Sequence, residues 1–297
     1  MASATKNLTS TLNANFLREY NSPESIRKYT RHTAGYGISY LLDHDYGRIY
    51  FECIQAYVPE ARLKTGIRLW EFGCGGGMNL LYLVSVLERQ GIPIELACGT
   101  DFSEALIGAA RNEATRYLTP EQNKRVRFVV AANDDLIAQG EAGLGIGKAE
   151  LVGSFDLVFG VNTIRYCHRL KNVDQCVQNI RGLLREGGIC INIDMNRKFP
   201  AFRSRLREWR VKQEETATLL PTLEKYAEPF SSAGLEILKK QNFCWVPHSA
   251  GLGLTSLMKT LTPILNTLVR SRAMRSLVVS RKPTGFHGSL HAQSVDV

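Results

Sequence analysis

The sequence predicts an α/β fold in which a doubly wound parallel sheet carries a helical N-terminal cap and helical insertions. Three observations predict it. Short β-branched runs alternate with amphipathic helical segments from Gly66 to Asp194, the pattern of strands joined by crossover helices. Gly73, Gly75 and Gly77, spaced two apart, join an apolar run to the next helical segment. A hydrophobic content of 44% over 297 residues is enough for a substantial core and excludes disorder of the whole chain.

The strands are expected at Ile67 to Phe72, Ile94 to Gly99, Val126 to Ala131, Phe155 to Val161 and Ile189 to Asp194. Helices are expected near Met78 to Arg89, Ser103 to Tyr117 and Val173 to Arg185, the last capped by glycine in Glu186-Gly187-Gly188. Residues 1–62 read as a helical cap rich in aromatic and polar side chains, among them Tyr20, Tyr29, His32, Tyr36, His44 and Tyr46. Residues 63–198 form the core. Residues 199–283 bring a basic helical insertion from Phe199 to Ala227, a strand within Leu235 to Val246, a helix from Leu252 to Val269 and a final strand from Met274 to Ser280. The small, polar end at 284–297 is expected to be a flexible tail.

Composition narrows the setting. No apolar run reaches membrane-spanning length, and Met1 to Asn7 lack the basic-then-apolar pattern of a secretory signal, so a cytoplasmic protein is expected. Seven cysteines without a Cys-x-x-Cys pair suit free thiols in a reducing compartment. The six histidines show no ligand spacing, and no metal is expected. The net charge of +9 is concentrated in Arg197 to Lys212 and Arg270 to Lys282; such stripes meet nucleic acid, an anionic small molecule or an anionic lipid surface, or form a solvated helix face.

The glycine turn decides which cofactor suits it. A dinucleotide fingerprint needs glycine in G-x-G-x-x-G order, and the third place falls on Met78 or Leu80. Glu71 stands just before the turn, where it repels a pyrophosphate and suits a cofactor with a positive end. The following helix, with Asn79 in its first turn, points its amides into the same place. Asp101, ending the second strand, is positioned to accept hydrogen bonds from vicinal ribose hydroxyls. Phe102 offers an apolar wall for a base, and Asn133 or Asp134 a partner for its amino edge. These residues describe a nucleoside with a cationic tail, lying over the carboxyl ends of the strands.

The chain resembles the class I S-adenosylmethionine (SAM)-dependent methyltransferases over roughly residues 62–283. The resemblance rests on Glu71-x-Gly73-x-Gly75-x-Gly77, Gly99-Thr100-Asp101-Phe102-Ser103, Ser154-Phe155-Asp156-Leu157-Val158-Phe159 and Leu183-Leu184-Arg185-Glu186-Gly187-Gly188, in that order. It implies a Rossmann-like seven-stranded sheet with the last strand antiparallel, and SAM as cofactor with S-adenosylhomocysteine (SAH) as product. It further implies that Asp101 holds the ribose, that Gly73, Gly75 and Gly77 line the methionine portion and that Glu71 helps orient its ammonium.

The acceptor is expected above the fourth and fifth strands. Asn162 opens the loop after the fourth and stands against both cofactor and acceptor, followed by Arg165, Tyr166 and His168; Asp194, Asn196 and Arg197 follow the fifth. His168 is read either as a general base or as a surface histidine. Tyr29, His32 and Tyr36 of the cap are candidates to close over the acceptor, Tyr36 as a catalytic group, and Arg197 and Arg203 to grip an anion. The loop lacks the Asn-Pro-Pro-Tyr or Asp-Pro-Pro-Tyr that accompanies methylation of base or glutamine amino groups. The expected partner is a small-molecule acceptor rather than nucleic acid. An RNA methyltransferase, a lipid or prenyl acceptor and a non-enzymatic interaction protein are the competing readings, and the apolar stripe from Leu252 to Leu268 reads as core or as a homodimer seam.

Overall fold

The computed structural model describes residues 20, 22, 23, 26, 47–200, 220–245 and 252–285. In chain order these hold α1 (Gly47–Tyr57), α2 (Glu60–Thr65), β1 (Ile67–Phe72), α3 (Met78–Arg89), β2 (Ile94–Asp101), α4 (Glu104–Tyr117), α5 (Pro120–Asn123) and β3 (Val126–Val130). Then follow α6 (Leu136–Leu144), α7 (Lys148–Leu151), β4 (Phe155–Val161), α8 (Ile164–Leu170), α9 (Val173–Leu183) and β5 (Leu184–Met195). After residue 220 come α10 (Leu223–Ser232), β6 (Glu236–Phe243), α11 (Leu252–Val269), a 3-10 turn at Arg270–Arg272 and β7 (Arg275–Arg281).

The seven strands form one sheet in the order β3-β2-β1-β4-β5-β7-β6. All neighbours from β3 to β5 pair in parallel, and β7 runs antiparallel between β5 and β6. Both faces of the parallel strands are covered, which is why they read as near-continuous apolar runs. Alternate residues feed two cores. Leu69, Leu157, Phe159 and Ile191 join one core with α1, α3 and α4. Trp70, Phe155, Val158 and Cys190 join the other with α9 and α10. Tyr50 of α1 meets Phe159 edge-on at 5.5 Å, and Trp70 meets Phe155 at 5.1 Å, in the T-shaped geometry that ring quadrupoles favour.

At the amino ends of the strands, Asp156 is 1% exposed and fully occupied. It receives Arg62 at 3.0 and 3.1 Å, Arg185 at 2.9 Å and the amide of Arg68 at 2.9 Å. A buried carboxylate persists only with such partners. It ties α2 and β5 to the sheet at the end opposite the functional site.

Two expectations are corrected here. Helix α9 ends at Leu183, and Glu186-Gly187-Gly188 lies inside β5 instead of capping the helix. The register slips between Phe155 and Leu157, and Gly187, at φ +73°, donates its amide to the Lys282 carbonyl while the Lys282 amide donates to the Gly188 carbonyl. A side chain at Gly188 would stand 2.8 Å from the Phe155 carbonyl, so the glycine pair serves a bulge. Residues 164–170, read as loop, form α8. The expected insertion at Phe199 to Ala227 falls mostly outside the described residues, and its described end belongs to the start of α10.

Candidate cofactor and acceptor site

The turn after β1 is built on left-handed backbone. Gly73, Gly75 and Gly77 have φ of +63°, +53° and +79°, a region that side chains other than glycine's enter at a penalty. Their surroundings differ. A Cβ on Gly73 would lie 2.5 Å from Thr163 Oγ1, and one on Gly77 would lie 2.7 Å from Phe128 Cζ. A Cβ on Gly75 would meet nothing within 4 Å. The outer two glycines therefore permit close packing, while the middle one faces open space.

Two carboxyls flank this cradle. Glu71 is wholly buried, its Oε1 accepting Asn79 Nδ2 and its Oε2 accepting the Leu80 amide, both at 3.0 Å. Because Gly77 has no side chain to cap α3, Glu71 does so from the neighbouring strand. Burial pushes its pKa up to about 8, with the nearby Asp101 charge adding to the rise. Asp101 is 6% exposed and accepts the Ser103 amide at 2.9 Å and the Gly75 amide at 3.0 Å. Burial lifts it to about 6 against the pull of those amides. The Phe102 amide adds to these, and since an ionised carboxylate accepts about four hydrogen bonds, capacity remains for a hydroxyl.

The walls come from β2, β3 and the N-terminal segment. Phe102 stacks edge-on with Tyr20 at 5.6 Å, and Tyr20 in turn meets Tyr166 at 5.7 Å. The Tyr20 hydroxyl also bonds that of Tyr166. Asn133 is half-buried and directs Nδ2 toward Cys167 Sγ at 3.8 Å. The Asp134 carboxylate accepts Asn172 Nδ2 at 2.7 Å and its carbonyl accepts Asn179 Nδ2 at 2.9 Å. Asp134 thus fastens the loop to α9, leaving Asn133 as the less committed of the two.

The side expected to face the acceptor is organised around Asn162 and Asp194. Asn162 follows β4 with φ +59°, a conformation uncommon outside glycine and enriched at functional sites. Its amide donates to the Ile193 carbonyl at 2.7 Å, and its side-chain oxygen accepts the buried Arg275 guanidinium. Asp194 is wholly buried and accepts the amides of Arg165 at 3.0 Å and Met195 at 2.8 Å. Its carboxyl is pushed up by burial, opposed by Arg165. Arg165 itself donates to the Tyr166 hydroxyl at 2.8 Å and to the Met195 sulfur, with Asp194 at 3.8 Å. Burial works against its charge, but the Tyr166 hydroxyl and Asp194 outweigh this and hold it firmly protonated.

His168, expected as a candidate base, lies on a different side of α8 from Tyr166. Positions two apart on a helix face opposite ways, and Tyr166 on α8 takes the side toward Tyr20. His168 instead packs edge-on against Tyr226 of α10 at 6.0 Å. Its charged neighbours are Asp174, Glu228 and Lys225, and burial, as the largest influence, lowers its pKa. Asn196 is likewise occupied elsewhere. It is 1% exposed, donating to the Ser271 carbonyl at 2.9 Å and the Ala273 carbonyl at 2.6 Å, and accepting the Lys198 amide at 3.0 Å. Asp194, expected to touch substrate, organises the backbone around Arg165. Arg197 is exposed. Tyr29, His32, Tyr36 and Arg203 lie outside the described residues.

Sequence reasoning does not single out Tyr20 or Arg275 for the site. Tyr20 is one tyrosine among many in a segment without clear periodicity. Arg275 opens a strand whose direction decides which end it reaches. Among the described residues no group of three or more His, Cys, Asp or Glu side chains is placed to hold a metal, and all seven cysteines are buried free thiols.

An open sheet in this order, with a glycine cradle after β1 and an acid ending β2, defines a Rossmann-like nucleoside-binding fold of the methyltransferase type. Comparison with known proteins agrees. A family model described as a methyltransferase domain matches residues 70–190. The citrinin polyketide synthase of Monascus ruber is 27% identical over 134 residues, which cover 45% of this chain and 4% of that synthase. The methylphloroacetophenone synthase of Cladonia uncialis is 27% identical over 150 residues, 50% of this chain and 5% of the synthase. This chain thus matches only a small part of these far longer relatives. Among solved structures, the citrinin polyketide synthase CMeT domain superposes with a TM-score of 0.57 at 17% identity, covering 90% of this chain and 59% of that one. The magnesium protoporphyrin IX methyltransferase of Synechocystis with bound SAH gives a TM-score of 0.56 at 12% identity, covering 91% and 99%. Residues 70–190 thus match a methyltransferase domain, and the fold around them is the one SAM-dependent methyltransferases share.

Proposed function

We propose that the chain transfers the methyl group of SAM to a small-molecule acceptor of specialised metabolism, one that carries an anionic or acidic group. The observation that supports SAM is the cradle itself: an open, left-handed Gly75 between two buried carboxyls that burial, and for Glu71 also the Asp101 charge, hold above their ordinary range. A cation placed there relieves both acids, and the residues present fit a nucleoside with a positive tail. Asp101 would hold the ribose, Phe102 and Asn133 the adenine, and Gly73, Gly75 and Gly77 the methionine portion.

When bound, SAM supplies an already activated methyl on a sulfonium sulfur, transferred by in-line displacement with S-adenosylhomocysteine as the leaving group. The chain's share is then chiefly to hold the acceptor oriented, an effect worth about 7–11 kcal/mol in favourable cases. Asn162, in its unusual backbone conformation, and Tyr166 stand at the junction of the two binding regions. Arg165 supports an anionic acceptor: its carboxylate partner lies 3.8 Å away, beyond hydrogen-bond reach, and one arm of its guanidinium faces only a thioether sulfur. An acidic acceptor also reduces the need for a strong base. The polyketide synthases among the sequence relatives support a polyketide-type acceptor.

Isothermal titration of SAM and SAH, followed by transfer of tritiated methyl to paired phenolic or β-keto acids and their amides, tests this reading. The expected results are binding of both nucleosides, its loss in Asp101→Ala, and a preference for the acids that Arg165→Gln abolishes through KM. Wild-type protein that binds neither SAM nor SAH would overturn the proposal, and equal use of acids and amides would remove its anionic part.

A further inference from the structure

None of the residues assigned above to the cofactor or the acceptor lies on α11. Met258, Leu265 and Val269 pack against the core, and Trp245 Nε1 donates to Asn266 Oδ1 at 2.9 Å, fixing how the helix lies. About a quarter-turn round the same helix, Leu257, Leu261, Ile264 and Leu268 are exposed, Leu268 by 74% and Ile264 by 58%. Their spacing of four, three and four residues makes one continuous stripe, about 16 Å long at 1.5 Å per residue. Single exposed leucines need no explanation; four in line do.

Charge restricts what covers the stripe. Neither α11 nor the turn after it contains an acidic residue, and between Glu236 and Asp296 the whole sequence has none. Arg270 and Arg272 are both exposed at the helix's end. A second copy of the chain is a poor occupant. Antiparallel self-pairing would set each basic end against the other helix's positive N-terminus, with no carboxylate on either helix to compensate. Lipid satisfies both features together, its acyl boundary taking the leucine stripe and its anionic headgroups the arginines.

We propose that α11 is an interfacial docking helix that holds the protein on anionic membrane surfaces. The helix lies in the plane of the interface. Among the described residues no helix is long and apolar enough to cross a membrane, so contact is peripheral and reversible. The inference is independent of the methyl acceptor.

Co-sedimentation of the full chain with phosphatidylcholine vesicles, with and without phosphatidylserine, tests it, with size-exclusion light scattering and SAM titration as controls. Expected is binding to the serine-containing vesicles that weakens at 0.5 M salt. Arg270→Gln with Arg272→Gln should lower partitioning roughly thirtyfold, which corresponds to about 1 kcal/mol for each basic residue near an anionic surface. Leu261→Asp with Ile264→Asp should lower it at least tenfold, with SAM affinity unchanged in both variants. Failure of the wild type to bind anionic vesicles would overturn the proposal. So would a wild-type dimer that the aspartate variant splits, or vesicle binding indifferent to both variants.

Discussion

Replacing Gly75 with alanine separates backbone strain from cofactor contact, because Gly91 offers the same strain elsewhere. Both residues hold left-handed backbone, φ +53° and +76°, and neither has an atom within 4 Å of where a Cβ would stand. Gly91 lies between α3 and β2, at the amino end of the strands; Gly75 lies over their carboxyl ends. Alanine in this conformation costs about 1–2 kcal/mol, partly offset by about 0.4–1 kcal/mol from a less flexible unfolded chain. Each variant should therefore lose about 1 kcal/mol, a fall in Tm of roughly 2–4 °C for a protein of this size. Their SAM affinities should part company. The Gly75→Ala methyl enters the space assigned to the methionine portion and is expected to weaken binding at least a hundredfold, whereas Gly91→Ala binds as the wild type does. Gly73→Ala would be a poorer probe, since its Cβ would lie 3.1 Å from Thr163 Cβ, an atom no rotamer can move. Thermal denaturation and calorimetric titration of the two variants side by side decide the matter. If Gly75→Ala binds SAM like Gly91→Ala, the cradle does not hold the cofactor.

His168→Ala should keep turnover within about twofold of wild type while losing about 1 kcal/mol of stability from the Tyr226 contact; a hundredfold fall in kcat would show that the imidazole reaches the acceptor after all. Glu71→Gln should flatten the pH dependence of folding stability. Because the folded pKa of about 8 lies above the ordinary 4.5, the folded state holds the extra proton between those values, so stability falls as pH rises through that window. Glutamine keeps an oxygen for the Leu80 amide without the buried charge. Urea melts at pH 5 and pH 9 should differ less in the variant than in the wild type, and an unchanged difference would place the titration elsewhere.

The parallel half of the fold is legible because its strands are covered on both faces and read as apolar runs. The glycine cradle is legible because backbone geometry there admits one residue type. Asp101 emerges from the same logic, standing where its strand ends. Other features turn on distant contacts. Seven residues of α8 are too few to show a helical period, and Thr163 gives them no side-chain cap, so Tyr166 and His168 look like neighbours on one loop when they face opposite ways. The glycines at 187 and 188 carry a cap's signature but serve a bulge against Lys282, almost a hundred residues on. Asp194 and Asn196 have the polarity of ligands. Their hydrogen bonds to backbone partners, near and far in sequence, are invisible without coordinates.

The reversed direction of β7 bears on how the protein is made. It is the strand whose first residue, Arg275, arrives at the carboxyl ends of the parallel strands and grips Asn162. The cradle, Asp101 and α8 all leave the ribosome earlier, yet β5 lacks its outer neighbour and Asn162 its guanidinium until this late segment threads between β5 and β6. A nascent chain can therefore complete the glycine turn well before Asn162 is braced. The bond that braces Asn162 cannot form until synthesis has passed Arg275.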